Sequence, residues 1–303
     1  MEIRDLEYFA VVAEHGNVTR ASEALDLSPP ALSKSLRRLE KSIGTELVER
    51  TPKGVKLTAA GTALLSQVRR LRLTLDDVTR EAADLGLGQA GHLRIGLSQI
   101  DDEELLAACA VLLRDAPKLS LEITVSTNLL MVPRLCQGEL DIIVAVIATP
   151  YDGTVQERLF DDEFVVCASA GHRLARRKRL TVADLSQERW ALGSQVAPRE
   201  VLYRIFRDSG LPQPRIAVES RSIRVRLHAW AYADLLGITS KRFLRRVSAP
   251  FRLVRLPVKG LTWPRPVGVI YRKDGYLPPA ARRLLDLLKS GNHRPAIPKW
   301  QSS

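Results

Sequence analysis

The sequence predicts an α/β chain in three parts: an N-terminal all-α winged helix-turn-helix, a long linker helix, and a C-terminal two-lobed α/β domain. Three observations carry this. Two short helical patterns flank a break at Leu27-Ser28, and a basic hairpin follows. A leucine stripe with heptad spacing comes next. Beyond residue 88, strand and helix patterns alternate.

The first helix, about Arg4 to His15, offers Leu6, Phe9 and Val12 to a core. The second, about Val18 to Asp26, adds Val18, Ala21, Ala24 and Leu25. The third begins at Ser28, whose hydroxyl can accept a free backbone N–H at the helix start. Pro29 suits the first helical position, where no N–H is needed. Leu32, Leu36, Leu39 and Ile43 then form one apolar stripe. The opposite face carries Pro30, Ser33, Lys34, Arg37 and Lys41. Charge is polarised between these segments. Residues 1–27 hold two Lys/Arg against six Asp/Glu, a net of −4. Residues 28–58 hold seven against three, a net of +4. A lone basic run is usually a solvated face. A polarised one is placed to meet phosphate.

Leu47–Arg50 and Val55–Leu57 read as short strands, with turn chemistry at Pro52-Lys53-Gly54. Arg50, Lys53 and Lys56 then sit on a wing, either as a charged surface turn or as a contact to a nucleic-acid backbone.

Residues 1–65 resemble the winged helix-turn-helix of the LysR-type transcriptional regulators. The resemblance rests on Leu6-Glu7-Tyr8-Phe9, Ala21-Ser22-Glu23-Ala24-Leu25, Pro30-Ala31-Leu32-Ser33, Leu39-Glu40, Gly44, Glu49-Arg50-Thr51 and Leu57-Thr58-Ala59-Ala60-Gly61. It implies a DNA-binding domain at 1–58, with the helix-turn-helix at about 18–37. The expected DNA contacts are Thr19, Pro29, Pro30, Ser33, Lys34, Arg37, Arg50, Thr51 and Lys53. The family usually carries glutamine where this chain has Pro29, and proline cannot donate to a base. Base reading then falls to Pro30, Ser33, Lys34 and Arg37.

Thr58 can cap a helix over residues 59–87. Leu64, Val68, Leu71, Leu75, Val78, Ala82 and Leu85 alternate spacings of four and three, the seam of a coiled coil. A helix this long between two units predicts a homodimer and a palindromic operator. The resemblance adds a homotetramer of two such dimers on an AT-flanked dyad. Gly86, Gly88 and Gly91 spell G-x-G-x-x-G, but a helix precedes and a strand follows. That order is wrong for a dinucleotide site and reads as a hinge.

Residues 88–303 predict a two-lobed fold, lobe 1 at about 88–161 and 266–291 and lobe 2 at about 162–265. The expected strands are His92–Ser98, Leu119–Thr127, Leu140–Ile147 and Leu159–Ala168, with helices at Asp102–Asp115 and Leu129–Gln137. The second lobe opens with a strand at Trp190–Gly193. Arg199–Asp208 and Ser222–Ala233 read as helices, and Arg215–Glu219 and Leu236–Thr239 as strands. Pro266–Tyr271 returns to the first lobe, and Pro279–Lys289 closes the chain. This is the pattern of parallel sheets with helices on both faces, and the periplasmic-binding-protein-like arrangement places a cleft between the lobes. Strand ends name the candidates: Ser98, Gln99, Thr127, Asn128, Ile147, Ser194, Gln195 and Val196, with Arg199 nearby. In the resemblance these are effector-contacting positions, although Ser, Thr and Asn also suit helix caps. Arg199, Arg221, Arg224 and Arg226 favour an anionic effector, or else form a solvated or DNA-contacting surface.

The chain has 303 residues, 45% of them apolar, and a net charge of +12. That charge is not the DNA reader's, because residues 172–303 alone hold 28 Lys/Arg against eight Asp/Glu. Cys109, Cys136 and Cys167 form no C-x-x-C and read as reduced core thiols. The longest strongly apolar run, Ile142–Ala148, is too short to span a bilayer, and a cytoplasmic protein is expected. The histidines show no paired metal spacing, and Gly96-Leu97-Ser98-Gln99-Ile100 lacks the closing glycine of a nucleophile elbow. The reading is a sequence-specific regulator that binds double-stranded DNA and a small-molecule effector, with no metal and no cofactor. It is not an enzyme, and a contact with RNA polymerase completes its partners. A solute-binding protein and an α/β enzyme are the alternatives.

Overall fold

The computed structural model describes residues 2–52, 54–87, 91–98, 103–147, 149–193 and 196–290. The chain divides into two compact units, Met1–Gly88 and Gln89–Ser303.

In the N-terminal unit, α1 (Ile3–His15), α2 (Val18–Ala24) and α3 (Pro29–Ile43) are followed by β1 (Val48–Thr51), β2 (Gly54–Leu57) and α4 (Ala59–Leu87). Asn17 starts α2 by accepting from the N–H groups of Thr19 at 2.8 Å and Arg20 at 3.2 Å. Leu6, Phe9, Leu36, Leu39, Leu47, Leu65 and Val68 share one core, and Val12, Ala21 and Leu32 form a second. The apolar stripe of α3 is shorter than its spacing suggests, because Ile43 is exposed beside the C-cap Gly44. Ala24 is also exposed, at the end of α2.

Two glycines fix the wing. Gly54 has φ +132°, and a Cβ there would sit 2.2 Å from the Gly16 carbonyl oxygen, which accepts from Val55 N–H at 2.8 Å. A Cβ on Gly61 would meet the Leu47 carbonyl oxygen at 2.0 Å. Backbone thus packs on backbone where no side chain fits. The Thr58 hydroxyl caps α4, accepting from Gly61 N–H at 2.9 Å. The first turns of α4 are anchored: Leu65 and Val68 are buried, and Arg72 donates to the Glu7 carbonyl at 3.1 Å. Further along, the stripe opens to solvent, with Leu71, Leu75 and Val78 exposed by 37%, 43% and 59%.

Among the described residues the C-terminal unit holds a five-stranded sheet, a four-stranded sheet and a parallel pair of strands. In the first, the strands run in the order β4 (Ser120–Val125), β3 (His92–Leu97), β5 (Ile142–Val146), β13 (Val267–Arg272), β6 (Thr154–Phe160). Strand alternation gives each face its own core. Leu93, Ile95, Ile142, Val144, Val267 and Val269 pack on α5 (Glu103–Asp115) and α10 (Pro279–Ser290). Ile143, Ala145 and Ile270 pack on α6 (Asn128–Cys136). The sheet is mixed rather than parallel, since β13 runs antiparallel to both β5 and β6. The strand expected over Leu159–Ala168 is two strands in two sheets. β6 ends at Phe160, and β7 (Glu163–Ser169) begins after the Asp161-Asp162 break.

β7 centres the second sheet, antiparallel to β10 (Gly237–Ser240), β11 (Leu253–Arg255) and β12 (Trp263–Pro264). β8 (Arg189–Leu192) pairs in parallel with β9 (Arg215–Glu219) and bridges to Leu236. α7 (Val196–Asp208) buries Leu202 and Phe206 with Trp190. α8 (Ile223–Tyr232) and α9 (Lys241–Phe251) bury Leu227, Trp230 and Leu244 with Val165 and Cys167. The strand expected over Leu236–Thr239 is β10, whereas α9 and the short strands β11 and β12 are missed by sequence patterning. In α9 basic residues interrupt the apolar positions Phe243, Leu244, Val247 and Phe251, and Pro250 lies inside the helix. Cys109 and Cys167 are buried as expected, but Cys136 is exposed at the end of α6. Among the described residues no helix is long and apolar enough to cross a membrane.

Candidate nucleic-acid interface and ligand cavity

α3 stands on a buried polar anchor. Asp5, fully shielded from solvent, accepts from the Ser35 hydroxyl at 2.6 Å and from Arg38 Nε at 3.1 Å, and Arg38 also ion-pairs with it. The Arg38 guanidinium and the Ser35 hydroxyl hold the Asp5 carboxyl down at about 2, against burial, which acts the other way. α1 and α3 are therefore locked through charge as well as through Phe9 and Leu39. Arg38 is consumed by this anchor. Its neighbour Arg37, about 100° further round the helix, is exposed.

The expected contact residues divide by exposure. Thr19, Pro29, Pro30, Lys34 and Arg37 are exposed, and Ser33 is half-buried between them. The Ser28 hydroxyl accepts from Ala31 N–H at a long 3.4 Å, so the start of α3 is only loosely capped. On the hairpin, Arg50 and Lys56 are exposed. The Thr51 hydroxyl donates to the Gly54 carbonyl at 3.2 Å, which closes the wing turn internally. Lys53 lies outside the described residues. A compact cationic helix face with short side chains, beside a basic hairpin on one rigid unit, can lie against phosphates and present its first turns to base edges.

The C-terminal unit contains a cavity of ≈ 290 Å³ between its two larger sheets. Ser98, Leu97 and Val125 come from the first lobe, and Arg199, Arg221, Arg226, Ile223 and Phe243 from the second. Ser98 is buried at the end of β3, and its hydroxyl has no hydrogen-bond partner among the described residues. Where the two lobes are joined, Arg265 Nη1 donates to Asp162 at 3.2 Å and its guanidinium lies 4.8 Å from the Phe164 ring. The Ser240 hydroxyl also donates to Asp162. This pair was not anticipated. Asp162 and Arg265 are 103 positions apart in the chain, and each reads locally as surface charge.

Three strand-end candidates do not line the cavity. The Asn128 amide donates to the Val146 carbonyl at 2.8 Å and ties α6 to β5. Thr127 is the N-cap of α6, though its side chain makes no cap bond. Ile147 packs half-buried in the α6 core. Asn128 and Ile147 thus hold the first lobe together, and Thr127 is exposed. Gln99, Ser194 and Gln195 lie outside the described residues, as does the side chain of Val196, which begins α7.

Residues 3–62 match the bacterial regulatory helix-turn-helix protein, lysR family, and residues 86–292 match the LysR substrate binding domain. The chain is 29% identical over 299 residues to the HTH-type transcriptional regulator GbpR of Azospirillum brasilense, covering 96% of this chain and 87% of that protein. It is 31% identical over 296 residues to the SDS degradation transcriptional activation protein of a Pseudomonas species, covering 95% of each. Among solved structures, full-length CbnR complexed with its target DNA matches with a TM-score of 0.59 at 22% identity, over 96% of this chain and 99% of that one. With both halves matched in order over nearly the whole length, the chain belongs to the LysR family of transcriptional regulators.

Proposed function

We propose that the first turns of α3 enter the major groove of double-stranded DNA, with Pro30, Ser33, Lys34 and Arg37 at base edges and Arg50, Lys56 and Lys53 along the backbone. The observation that carries this is the division of α3. Leu32, Leu36 and Leu39 are buried on one side, and Lys34 and Arg37 are exposed on the other. Arg38 is already neutralised, so the exposed charge is free to meet phosphate. The solution of CbnR with its target DNA supports the same use of the fold.

The exposed run of Leu71, Leu75 and Val78 on α4 joins two chains into a dimer, and two dimers assemble into a tetramer. A small-molecule effector occupies the interlobe cavity. Its binding changes the angle between the lobes and thereby the spacing of the DNA readers and access of RNA polymerase. The protein works in the cytoplasm and performs no chemistry on its ligand. The test is gel retardation, at low salt, of fragments from its own genomic neighbourhood, followed by footprinting. Retardation that competitor DNA does not abolish and a roughly dyadic footprint are expected; failure to shift any fragment refutes the reading.

A further inference from the structure

We propose that the interlobe cavity recognises a small monocarboxylate with an apolar body, and that Arg226 is the residue that selects the charge. This rests on the effector reading above and names its ligand class.

The electrostatics of the cavity are lopsided. No Asp or Glu is among the described residues that line it, whereas four arginines are. Two of these are neutralised from behind: Arg199 by Glu219 at 3.2 Å, and Arg265 by Asp162 at 3.2 Å. Arg226 and Arg221 have no carboxylate partner among the described residues. Arg221 is exposed and can be hydrated. Arg226 is not so placed. It is half-buried, and burial pushes its guanidinium below the usual arginine range. Its hydrogen bonds both leave from Nη1, to the carbonyls of Ser220 at 2.7 Å and Arg221 at 3.4 Å. A desolvated guanidinium without a counter-ion is costly and is normally paired.

Helix ends add to the same field. α7 and α8 begin at this cavity without an acid in the first turn, whereas the start of α9 is already met by Asp162, which accepts from Arg242 N–H at 3.3 Å, and by the Ser240 hydroxyl, which accepts from Phe243 N–H at 3.1 Å. The Ser222 side chain leaves the start of α8 uncapped. The starts of α7 and α8 and the Arg226 guanidinium therefore face the cavity from the second lobe. Across the cavity the buried Ser98 hydroxyl offers one polar contact from the first lobe. Leu97, Val125, Ile223, Ile238 and Phe243 give the wall a broad apolar part, beside the hydroxyl-bearing Thr239 and Ser240. A planar carboxylate fits the guanidinium fork, an apolar body fits the wall, and ≈ 290 Å³ admits only a small molecule. Of the two arginines without a carboxylate partner Arg221 is open to water, so the half-buried Arg226 is the one a single ligand carboxylate matches. A ligand touching both Arg226 and Ser98 spans the lobes, which couples occupancy to their angle.

The test uses the full-length protein with benzoate, phenylacetate and hexanoate against their neutral or cationic counterparts benzamide and benzylamine. Thermal unfolding followed by tryptophan fluorescence and titration calorimetry are the readouts. Carboxylates are expected to raise the unfolding temperature, and the amide and amine to leave it unchanged. R226Q should weaken carboxylate binding at least about tenfold, R226K should recover part of that loss, and S98A should show a smaller loss. Three results overturn the assignment: no carboxylate stabilises, the amide stabilises equally, or R226Q binds carboxylate like the wild type. Gel retardation with the same preparation reports separately whether the DNA-binding reading stands.

Discussion

Replacing Asp5 by asparagine isolates the anchor that orients α3. The carboxyl, ordinarily near 3.8, is held at about 2 in the folded unit. At about 1.4 kcal/mol per pH unit, that difference is worth roughly 2.5 kcal/mol. Arg38 is half exposed and recovers some hydration when unpaired, so about 2 kcal/mol is the expected loss. The sign follows from a depressed pKa. The contribution is complete above about pH 4 and disappears as pH falls toward 2. Bulk unfolding is a poor assay, because Trp190, Trp230, Trp263 and Trp300 all lie outside Met1–Gly88 and fluorescence reports the other unit. Hydrogen exchange resolved by peptide is the better one. Near pH 7, segments from α1 and α3 should exchange roughly tenfold to thirtyfold faster in D5N than in the wild type, while β7 and α8 stay unchanged. DNA affinity should fall together with that protection. The gap between the proteins should close when stability is compared near pH 2. Equal protection of α3 in both proteins at neutral pH, or a gap that persists in acid, refutes the anchor.

Other consequences follow from the same contacts. Arg37→Ala should cost about 1–3 kcal/mol at one base position and relax its sequence preference, whereas Lys56→Ala should weaken all sequences alike and lower the salt slope by about 1; both are read by retardation across a salt series. Leu71→Asp combined with Leu75→Asp should shift the sedimenting mass downward by breaking the exposed seam of α4, and an unchanged mass contradicts that seam. Gly237→Ala brings a methyl to 2.3 Å from the Trp230 indole, whose Nε1 donates to Ala191 at 2.8 Å. Overpacking there should cost about 1–3 kcal/mol, visible as a lower unfolding temperature by tryptophan fluorescence.

Much of the fold is local in origin and therefore legible. The stripe of Leu32, Leu36 and Leu39, the cap at Thr58 and the alternation of Leu93 and Ile95 each depend on residues within a turn or two of one another. Such periodicity determines element type, the helix-then-hairpin order and the α/β class of the C-terminal unit. The same patterns set the exposed cationic face of α3, since a helix that buries one stripe must present the other.

Decisions made by distant residues were invisible. The spacing of Arg37 and Arg38 cannot say which is neutralised; Asp5, more than thirty positions away, takes Arg38. Thr127, Asn128 and Ile147 follow strands β4 and β5, yet Asn128 and Ile147 serve the α6 packing, and Thr127 is an exposed residue that does not line the cavity. The end of β6 and β7 read as one strand because Leu159-Phe160 and residues 164–168 are apolar on either side of the acidic Asp161-Asp162-Glu163, and only the Asp162–Arg265 pair at the lobe junction shows why the chain breaks there. Sequence alone determined where hydrophobic faces lie, because burial repeats with the local period. Tertiary structure decided which charges are spent internally and which are left facing a ligand. Coulombic and hydrogen-bond partners are set by proximity in space, and no local pattern encodes that.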